Sequence, residues 1–280
     1  MSSLSTRPQF RAQNKSAFKI AISSGKGGVG KTSISLKMCK TLTELGYKTL
    51  LIDCDYNLSN TAIKLGLPVG NHFWELLNAQ KTFDECLFRD GNFHLLPACN
   101  GHMELFDSQL KFDEIILDII QSHENDYDFI LLDNPAGMSR ETCVLSAYCD
   151  ERIIIVTPDR SSIMDSYSLV KVLKNKFSVK QNHLLVNMYL GTKQFQNVVK
   201  TFSETAENFL QVRTCILGGV RKIDFYNEEF DQFFLNNKEN PTHQEFHKVL
   251  KNFTDSIGKG GESRLKNIEG NLIQPIMEMH

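Results

Sequence analysis

The chain has 280 residues, of which 41% are hydrophobic and 23% charged, and its formal net charge is −2. This composition is typical of a globular protein, and the near-neutral charge provides no global attraction to nucleic acid. The seven cysteines include no C-x-x-C pair, which excludes a disulfide framework or a zinc ribbon. No apolar run approaches the roughly 18 residues of a membrane-spanning helix, and residues 1–17 lack the apolar core of a secretory signal. We therefore expect a cytoplasmic protein.

Short apolar runs and longer helical patterns alternate from Phe18 onward. The predicted strands are Phe18–Ser23, Lys48–Asp53, Phe93–Pro97, Phe129–Asp133, Arg152–Thr157, His183–Asn187 and Arg213–Leu217. Helical periodicity covers Thr32–Leu45, Ile163–Phe177 and Phe195–Phe209. Nearly continuous apolar strands are typical of a parallel sheet that is covered on both faces. The alternation predicts an α/β fold, a single doubly wound, mostly parallel sheet of about seven or eight strands with helices on both faces.

This organisation predicts one domain between two tails. Residues 18–257 form the predicted domain, residues 1–17 a flexible N-terminal tail, and residues 258–280 a C-terminal tail that begins with Gly258-Lys259-Gly260-Gly261. The apolar stripe Phe246, Val249, Leu250, Phe253 and Ile257 is interpreted as core. In the C-terminal tail, Leu265, Ile268, Leu272 and Ile276 would share one face of a helix, which is interrupted by Gly270 and Pro275.

One motif carries the chemistry. Residues Gly25, Lys26, Gly27, Gly28, Val29, Gly30, Lys31 and Thr32 fit the pattern G-x-x-x-x-G-K-[ST], between a predicted strand and a predicted helix. The glycines let backbone N–H groups turn towards phosphate oxygens, and the following helix N-terminus favours anions. Lys31 can reach the β- and γ-phosphates, and the Thr32 hydroxyl can bind magnesium. The sequence therefore predicts a P-loop ATPase that binds ATP with Mg²⁺.

Lys26 gives this P-loop the form K-G-G-V-G-K-T, which resembles the deviant Walker A motif of the MinD/ParA family of ATPases. Other segments of residues 18–257 are similar to family motifs. Asp53-Cys54-Asp55 with Asn60 resembles the first switch, and Leu131 to Gly137 resembles the Walker B strand and second switch. Val156-Thr157-Pro158 with Asp165-Ser166-Tyr167 resembles the T-P-E…D-A-Y stretch.

The resemblance implies roles for single residues. Asp133 and Thr32 would hold the magnesium shell. Asp53 would support this site without binding the ion itself. Asp55 would orient or activate the attacking water. Lys26 would reach across an ATP-bound homodimer to the partner's phosphates, in the manner of an arginine finger. Asn187 would read the adenine. The family usually has a glycine near Asn57 and threonine or serine in place of Asn134. These departures could change switch geometry, so we expect slow or partner-stimulated turnover.

Within the family, the segments Phe73 to Leu77, Leu95 to Pro97 and Leu217 to Val220 with Asp224 resemble the flagellar-number regulators FlhG/FleN. The N-terminus lacks the activator motif D-Q-A-x-x-L-R of that branch. The resemblance implies a switch that positions or regulates a cellular assembly with a protein partner, with flagellar number or placement as the first candidate. A MinD-like division-site ATPase is the alternative. The tail stripe also leaves open reversible binding to the inner face of the cell membrane.

Two further alternatives stay open. Lys171, Lys174, Lys176 and Lys180 form a basic run, as a ParA-like DNA-partition ATPase would need, although such runs are usually solvated and nucleic acid is not the expected partner. Cys99 and Cys143 occupy roughly the regions where the nitrogenase iron protein places its cluster cysteines, without the glycine-rich context. The first alternative predicts ATP-dependent binding to DNA, and the second predicts a brown iron–sulfur protein.

Overall fold

The computed structural model describes residues 16–56, 60–68, 70–99, 110–223, 231, 234–235 and 241–264. The strands are β1 Phe18–Ser23, β2 Thr49–Asp53, β3 Phe88–Asp90, β4 Phe93–Leu96, β5 Phe129–Asp133, β6 Glu151–Val156, β7 Gln181–Tyr189 and β8 Arg213–Arg221. The helices are α1 Lys31–Glu44, α2 Thr61–Lys64, α3 His72–Leu77, α4 Phe83–Cys86, α5 Phe112–His123, α6 Arg140–Tyr148, α7 Arg160–Phe177, α8 Thr192–Leu210 and α9 Pro241–Arg264.

All eight strands form one sheet in the order β3-β4-β2-β5-β1-β6-β7-β8. Every pairing is parallel except that of β3 with β4, an antiparallel hairpin at one edge. The central strands are buried on both faces, as in β5, where all five residues are buried. Strands buried in this way are mostly near-continuous apolar runs, which explains why the sequence pattern located them. The predicted doubly wound sheet is confirmed.

Alternate residues of each strand enter separate cores. Ile20 and Ile22 of β1 face the helices α1 and α9, whereas Ala21 faces the opposite side. There α5 and α6 cover one half of the sheet, and α7 and α8 cover the other half. Because the parallel strands point the same way, the residues that follow β1, β2, β5, β6 and β7 meet at one edge of the sheet. Every predicted site residue lies at this edge.

Three differences from the sequence prediction concern the borders of the fold. The hairpin strand β3 has only three residues, too few for a periodic signal. Ala17, placed in the N-terminal tail, is buried and donates its backbone N–H to the Glu124 carbonyl. Helix α9 continues through Gly258–Gly261 to Arg264, since glycine weakens a helix by about 1 kcal/mol without forbidding it. The residues Phe246, Val249, Leu250 and Phe253 are buried as predicted, and residues 265–280 lie outside the described residues.

Within the described part, no helix combines the length and apolar character that crossing a bilayer requires.

Candidate functional site

The P-loop, residues 25–32, joins the end of β1 to the start of α1, and its glycines are required by its geometry. Gly28 and Gly30 have positive φ angles of 76° and 89°, which side-chain-bearing residues rarely adopt. A Cβ on Gly25 would lie 2.0 Å from the backbone carbonyl carbon of Asp165, and one on Gly30 would lie 2.4 Å from Asn187 Nδ2. The loop is therefore closely packed against α7 and β7, with its backbone held in the curve that phosphate binding needs.

Lys31 begins α1 at the base of this loop. Its Nζ donates to Ser24 Oγ at 3.1 Å. Burial lowers the pKa of Lys31, and the nearby carboxylates of Asp133 and Asp55 act in the opposite direction. A partly desolvated ammonium group at the start of a helix is well placed to compensate phosphate charge.

Asp133 ends β5 and is buried beside α1. Ser35 Oγ donates to Asp133 Oδ1 at 3.0 Å, and the Thr32 side chain also hydrogen-bonds this carboxylate. Burial raises the pKa of Asp133 to about 6, although the hydrogen bonds and Lys31 lower it. A buried carboxylate next to a threonine hydroxyl is the hard-oxygen donor set that Mg²⁺ prefers. Thr32 and Asp133 therefore fit a magnesium ion, directly or through its waters.

Asp53 ends the neighbouring strand β2, where it is the register partner of Asp133. Its Oδ1 accepts the Asp55 backbone N–H at 3.1 Å, and its Oδ2 accepts from Thr61 Oγ1 at 2.7 Å. Asp53 thus fixes both ends of the loop that carries Asp55. Asn57, the first departure from the family pattern, lies outside the described residues.

Lys26 does not turn into the phosphate cradle. Its Nζ lies 2.9 Å from Asp159 Oδ1 and 2.7 Å from Ser161 Oγ, at the start of α7 in the same chain. Asp159 is the N-cap of α7 and accepts the Ser162 backbone N–H at 2.9 Å. Although burial opposes it, hydrogen bonds from Thr157, Ser161, Lys26 and Ser162 hold the pKa of Asp159 well below its usual value. Asp159, which occupies the acidic position of the T-P-E motif, was not among the predicted site residues.

Asn187 closes the other side of the P-loop from the end of β7. It is buried, and its Nδ2 donates to the Val29 carbonyl at 2.8 Å. The next residue, Met188, has a φ of 57° at a β-bulge between β7 and β8. Strained backbone of this kind is concentrated at functional sites. A cleft of about 370 Å³ opens next to this point, between Gly27–Val29 on one side and Met188 and Leu190 on the other.

Asn134, the second departure, faces away from the phosphate site. Its side chain is buried, and Nδ2 donates to Ser23 Oγ at 2.9 Å and to Ser146 Oγ at 3.0 Å. The two serine hydroxyls also bond each other at 2.9 Å. The side chain therefore ties β5 to β1 and α6. These contacts concern the body of the domain, and the expected effect of Asn134 on turnover stays a prediction.

The two cysteines of the iron–sulfur alternative are buried in different cores. Cys99 lies in the cluster under α3 and α5 and accepts the Trp74 backbone N–H, whereas Cys143 lies with α7 and α8. Burial raises the pKa of Cys143 to about 11, which disfavours the thiolate that would bind iron. Neither thiol reaches a surface that a second subunit could share, so the structure argues against a shared cluster.

A family model described as an AAA domain matches residues 17–186. The antiactivator FleN of Pseudomonas aeruginosa is 24% identical over 71% of this chain and 71% of its own length. A putative septum site-determining protein MinD of Guillardia theta is 33% identical over 60% of this chain and 62% of its own. The chain belongs to the MinD/ParA family of P-loop ATPases.

As a MinD/ParA protein, the chain also resembles solved structures. MinD of Pyrococcus horikoshii, solved with Mg-ADP, has a TM-score of 0.68 and 21% identity, and covers 86% of this chain and 98% of its own. That likeness concerns the fold. The match to the family model includes the P-loop, Asp55, Asp133 and Asp159, and it ends one residue before Asn187. The chain matches slightly less than two thirds of the length of the Guillardia theta relative.

Proposed function

We propose that this MinD/ParA protein is a switch ATPase that forms a homodimer when it binds ATP. The observation that carries the proposal is the position of Lys26. A P-loop needs one lysine for its own phosphates, and Lys31 occupies that place. Lys26 instead projects to the surface and pairs with Asp159, with about 40% of its side chain exposed. A lysine so placed is available to the nucleotide of a second subunit.

Nucleotide binding follows from the residues around the cradle. Backbone N–H groups of Gly25 to Thr32 and the Lys31 ammonium would bind the phosphates of ATP, and the cleft beside Asn187 would accept the base. Thr32 and Asp133 would hold Mg²⁺, with Asp53 placing the neighbouring loop. The ion would neutralise charge on the β- and γ-phosphates.

Hydrolysis would depend on Asp55, which the Asp53 carboxylate holds at the edge of the site. There it would orient the attacking water. Lys26 would add positive charge near the γ-phosphate only in the dimer, so turnover would be slow in the monomer and sensitive to partners. The exposed ion pair of Lys26 and Asp159 contributes at most about 1 kcal/mol to stability. Lys26 can therefore leave Asp159 for a phosphate at a small cost in free energy.

The surface around the P-loop also suits a symmetric contact. Met138, directly after the second switch, has 49% of its surface exposed, and Met164, next to the Asp165 backbone that packs on Gly25, has 65% exposed. Flexible apolar side chains beside a charged site are common in interfaces that form and separate. A face-to-face dimer would cover both methionines and bring each Lys26 to the opposite nucleotide.

The cellular role we propose is to position or regulate an assembly through a protein partner. The FleN relative supports flagellar number or placement, and the MinD relative supports the division-site alternative. Nucleic acid is not the proposed partner, since a charge run such as Lys171, Lys176 and Lys180 is usually a solvated face and the net charge of −2 provides no global attraction to it. We propose that the protein acts in the cytoplasm. Binding to the membrane's inner face through residues 265–280 stays a prediction outside the described residues.

A single variant separates binding from turnover. Asp55→Ala should bind ATP with unchanged affinity, lose hydrolysis and accumulate as a dimer, because water is no longer oriented while the phosphate cradle is intact. Phosphate release and light scattering measure the two properties on the same sample. An Asp55→Ala protein with wild-type turnover would overturn the assignment of Asp55. Pull-down with this ATP-locked form would then identify the partner.

A further inference from the structure

Three potential metal ligands meet at the end of α1 that is remote from the P-loop. Glu44 is the last residue of α1, and His243 and His247 lie in the first two turns of α9. One ligand atom from each of the three side chains lies within 4.8 Å of the others. At about 1.5 Å per residue, the length of α1 separates this cluster from Lys31 by roughly 20 Å. It is therefore independent of the phosphate site.

The two histidines are already arranged as a chelating pair. They are four residues apart on one helix, the spacing that places two side chains on the same face. Their Nε2 atoms lie 2.9 Å apart and their ring centroids 4.5 Å apart. A tetrahedral zinc ion at about 2.05 Å from each nitrogen requires the nitrogens to be roughly 3.3 Å apart. A small rotation of either ring satisfies that requirement.

Charge favours a cation at this place. A carboxylate at the C-terminal end of a helix lies against the partial negative charge of the helix dipole, which is unfavourable by several tenths of a kcal/mol. A divalent cation bound to Glu44 reverses the sign of that interaction. His243 is buried and His247 half-buried, so the two rings have little freedom to separate and a ligand pair held this way loses little entropy on binding.

We propose that Glu44, His243 and His247 bind a first-row divalent transition-metal ion, best matched by Zn²⁺. Two imidazole nitrogens and one carboxylate oxygen are a ligand set that suits zinc, with water in the fourth position. Each histidine would bind through Nε2. The ion would connect α9 to α1, and would thereby fix the start of the helix that leads to residues 265–280.

The test titrates Zn²⁺ by calorimetry into the full chain, purified with chelator and free of nucleotide. Wild type should bind one ion per chain. His247→Ala and Glu44→Gln should each bind at least tenfold more weakly, since even residues that only support a metal ligand change affinity by about 10–100-fold. His123→Ala is the matched control, because His123 is also paired at helical spacing, with Asp126 at 3.2 Å, and should bind as wild type.

Thermal unfolding gives a second readout. Zn²⁺ should raise the midpoint of wild type and of His123→Ala, and at the same zinc concentration should raise that of Glu44→Gln by less, because this variant binds the ion more weakly. Glu44 is exposed, so this variant keeps the test valid if His247→Ala fails to fold. Equal zinc affinity in wild type, His247→Ala and Glu44→Gln would place the ion on other groups, such as the thiols, and would overturn the proposal. If wild type binds no zinc, the proposal is also overturned, and His243 and His247 are then only a hydrogen-bonded pair.

Discussion

The placement of Asn134 makes a quantitative prediction about stability. Asn134→Ala removes two buried hydrogen bonds, to Ser23 and Ser146, each worth about 1 kcal/mol net. Asn182 is the matched control, because its side chain is equally buried in β7 but neither its Nδ2 nor its Oδ1 has a hydrogen-bond partner in the described part of the chain. Both substitutions delete the same side-chain atoms, but Asn182→Ala removes two buried polar atoms that lack a partner, whereas Asn134→Ala removes one, its Oδ1. Their difference therefore combines the two lost hydrogen bonds with the relief of one further unpaired atom in Asn182→Ala, and both effects make Asn134→Ala the less stable variant.

Asn134→Ala should be less stable than Asn182→Ala by about 2 kcal/mol, or about 4–8 °C in midpoint for a domain of this size. Thermal unfolding at fixed protein concentration measures this. Asn134→Ala should also keep the wild-type affinity for ATP, since its amide faces away from Lys31. Equal midpoints for the two variants would refute the structural role. A loss of hydrolysis by Asn134→Ala at unchanged stability would instead return Asn134 to the second switch.

Two further predictions concern the loop and its lysine. Gly30→Ala should lose ATP binding and about 1–2 kcal/mol of stability, because its φ is 89° and the new Cβ meets Asn187. Gly46→Ala is the control, since its φ is 91° but the space around it is open. It should show the backbone strain alone and keep the wild-type affinity for ATP in calorimetry. Asp159→Asn retains the helix cap but removes the charge paired with Lys26. Because the folded-state pKa of Asp159 is lowered, its stabilisation is present at neutral pH and is lost as pH falls below about 3.9. Urea midpoints should therefore show wild type more stable than Asp159→Asn at pH 7 and converging with it in acid, and a constant gap would contradict this.

The sequence predicted those parts of the protein that a local pattern determines. The limits of β1 and β5 were correct to the residue, since buried parallel strands are continuous apolar runs that end in polar site residues. The P-loop was predictable because a phosphate cradle tolerates few residue types. Contacts between segments that are distant in the chain were not predictable. Lys26 and Asp159 are 133 positions apart, and nothing in the spacing of either residue indicates that they pair.

Other features could not be predicted from the sequence for different reasons. The contacts of the Asn134 side chain with Ser23 and Ser146 could not be predicted, because a motif comparison records the residue and not the direction of its side chain. The T-P-E resemblance did offer a signal for Asp159. The spacing of His243 and His247 was also visible, but its third ligand, Glu44, comes from a helix almost 200 residues earlier and requires the fold to bring it near.

The central claim is that ATP brings two chains together through Lys26. Light scattering with a non-hydrolysable ATP analogue and Mg²⁺ measures it directly on three proteins. Wild type should change from 31.9 kDa to twice that mass, while Lys31→Ala should neither bind nor dimerise. Lys26→Ala should bind the analogue as a monomer, and with ATP should lose hydrolysis by roughly a thousandfold. A Lys26→Ala protein that dimerises as readily as wild type would contradict the account and leave a nucleotide-binding domain without the cross-subunit switch.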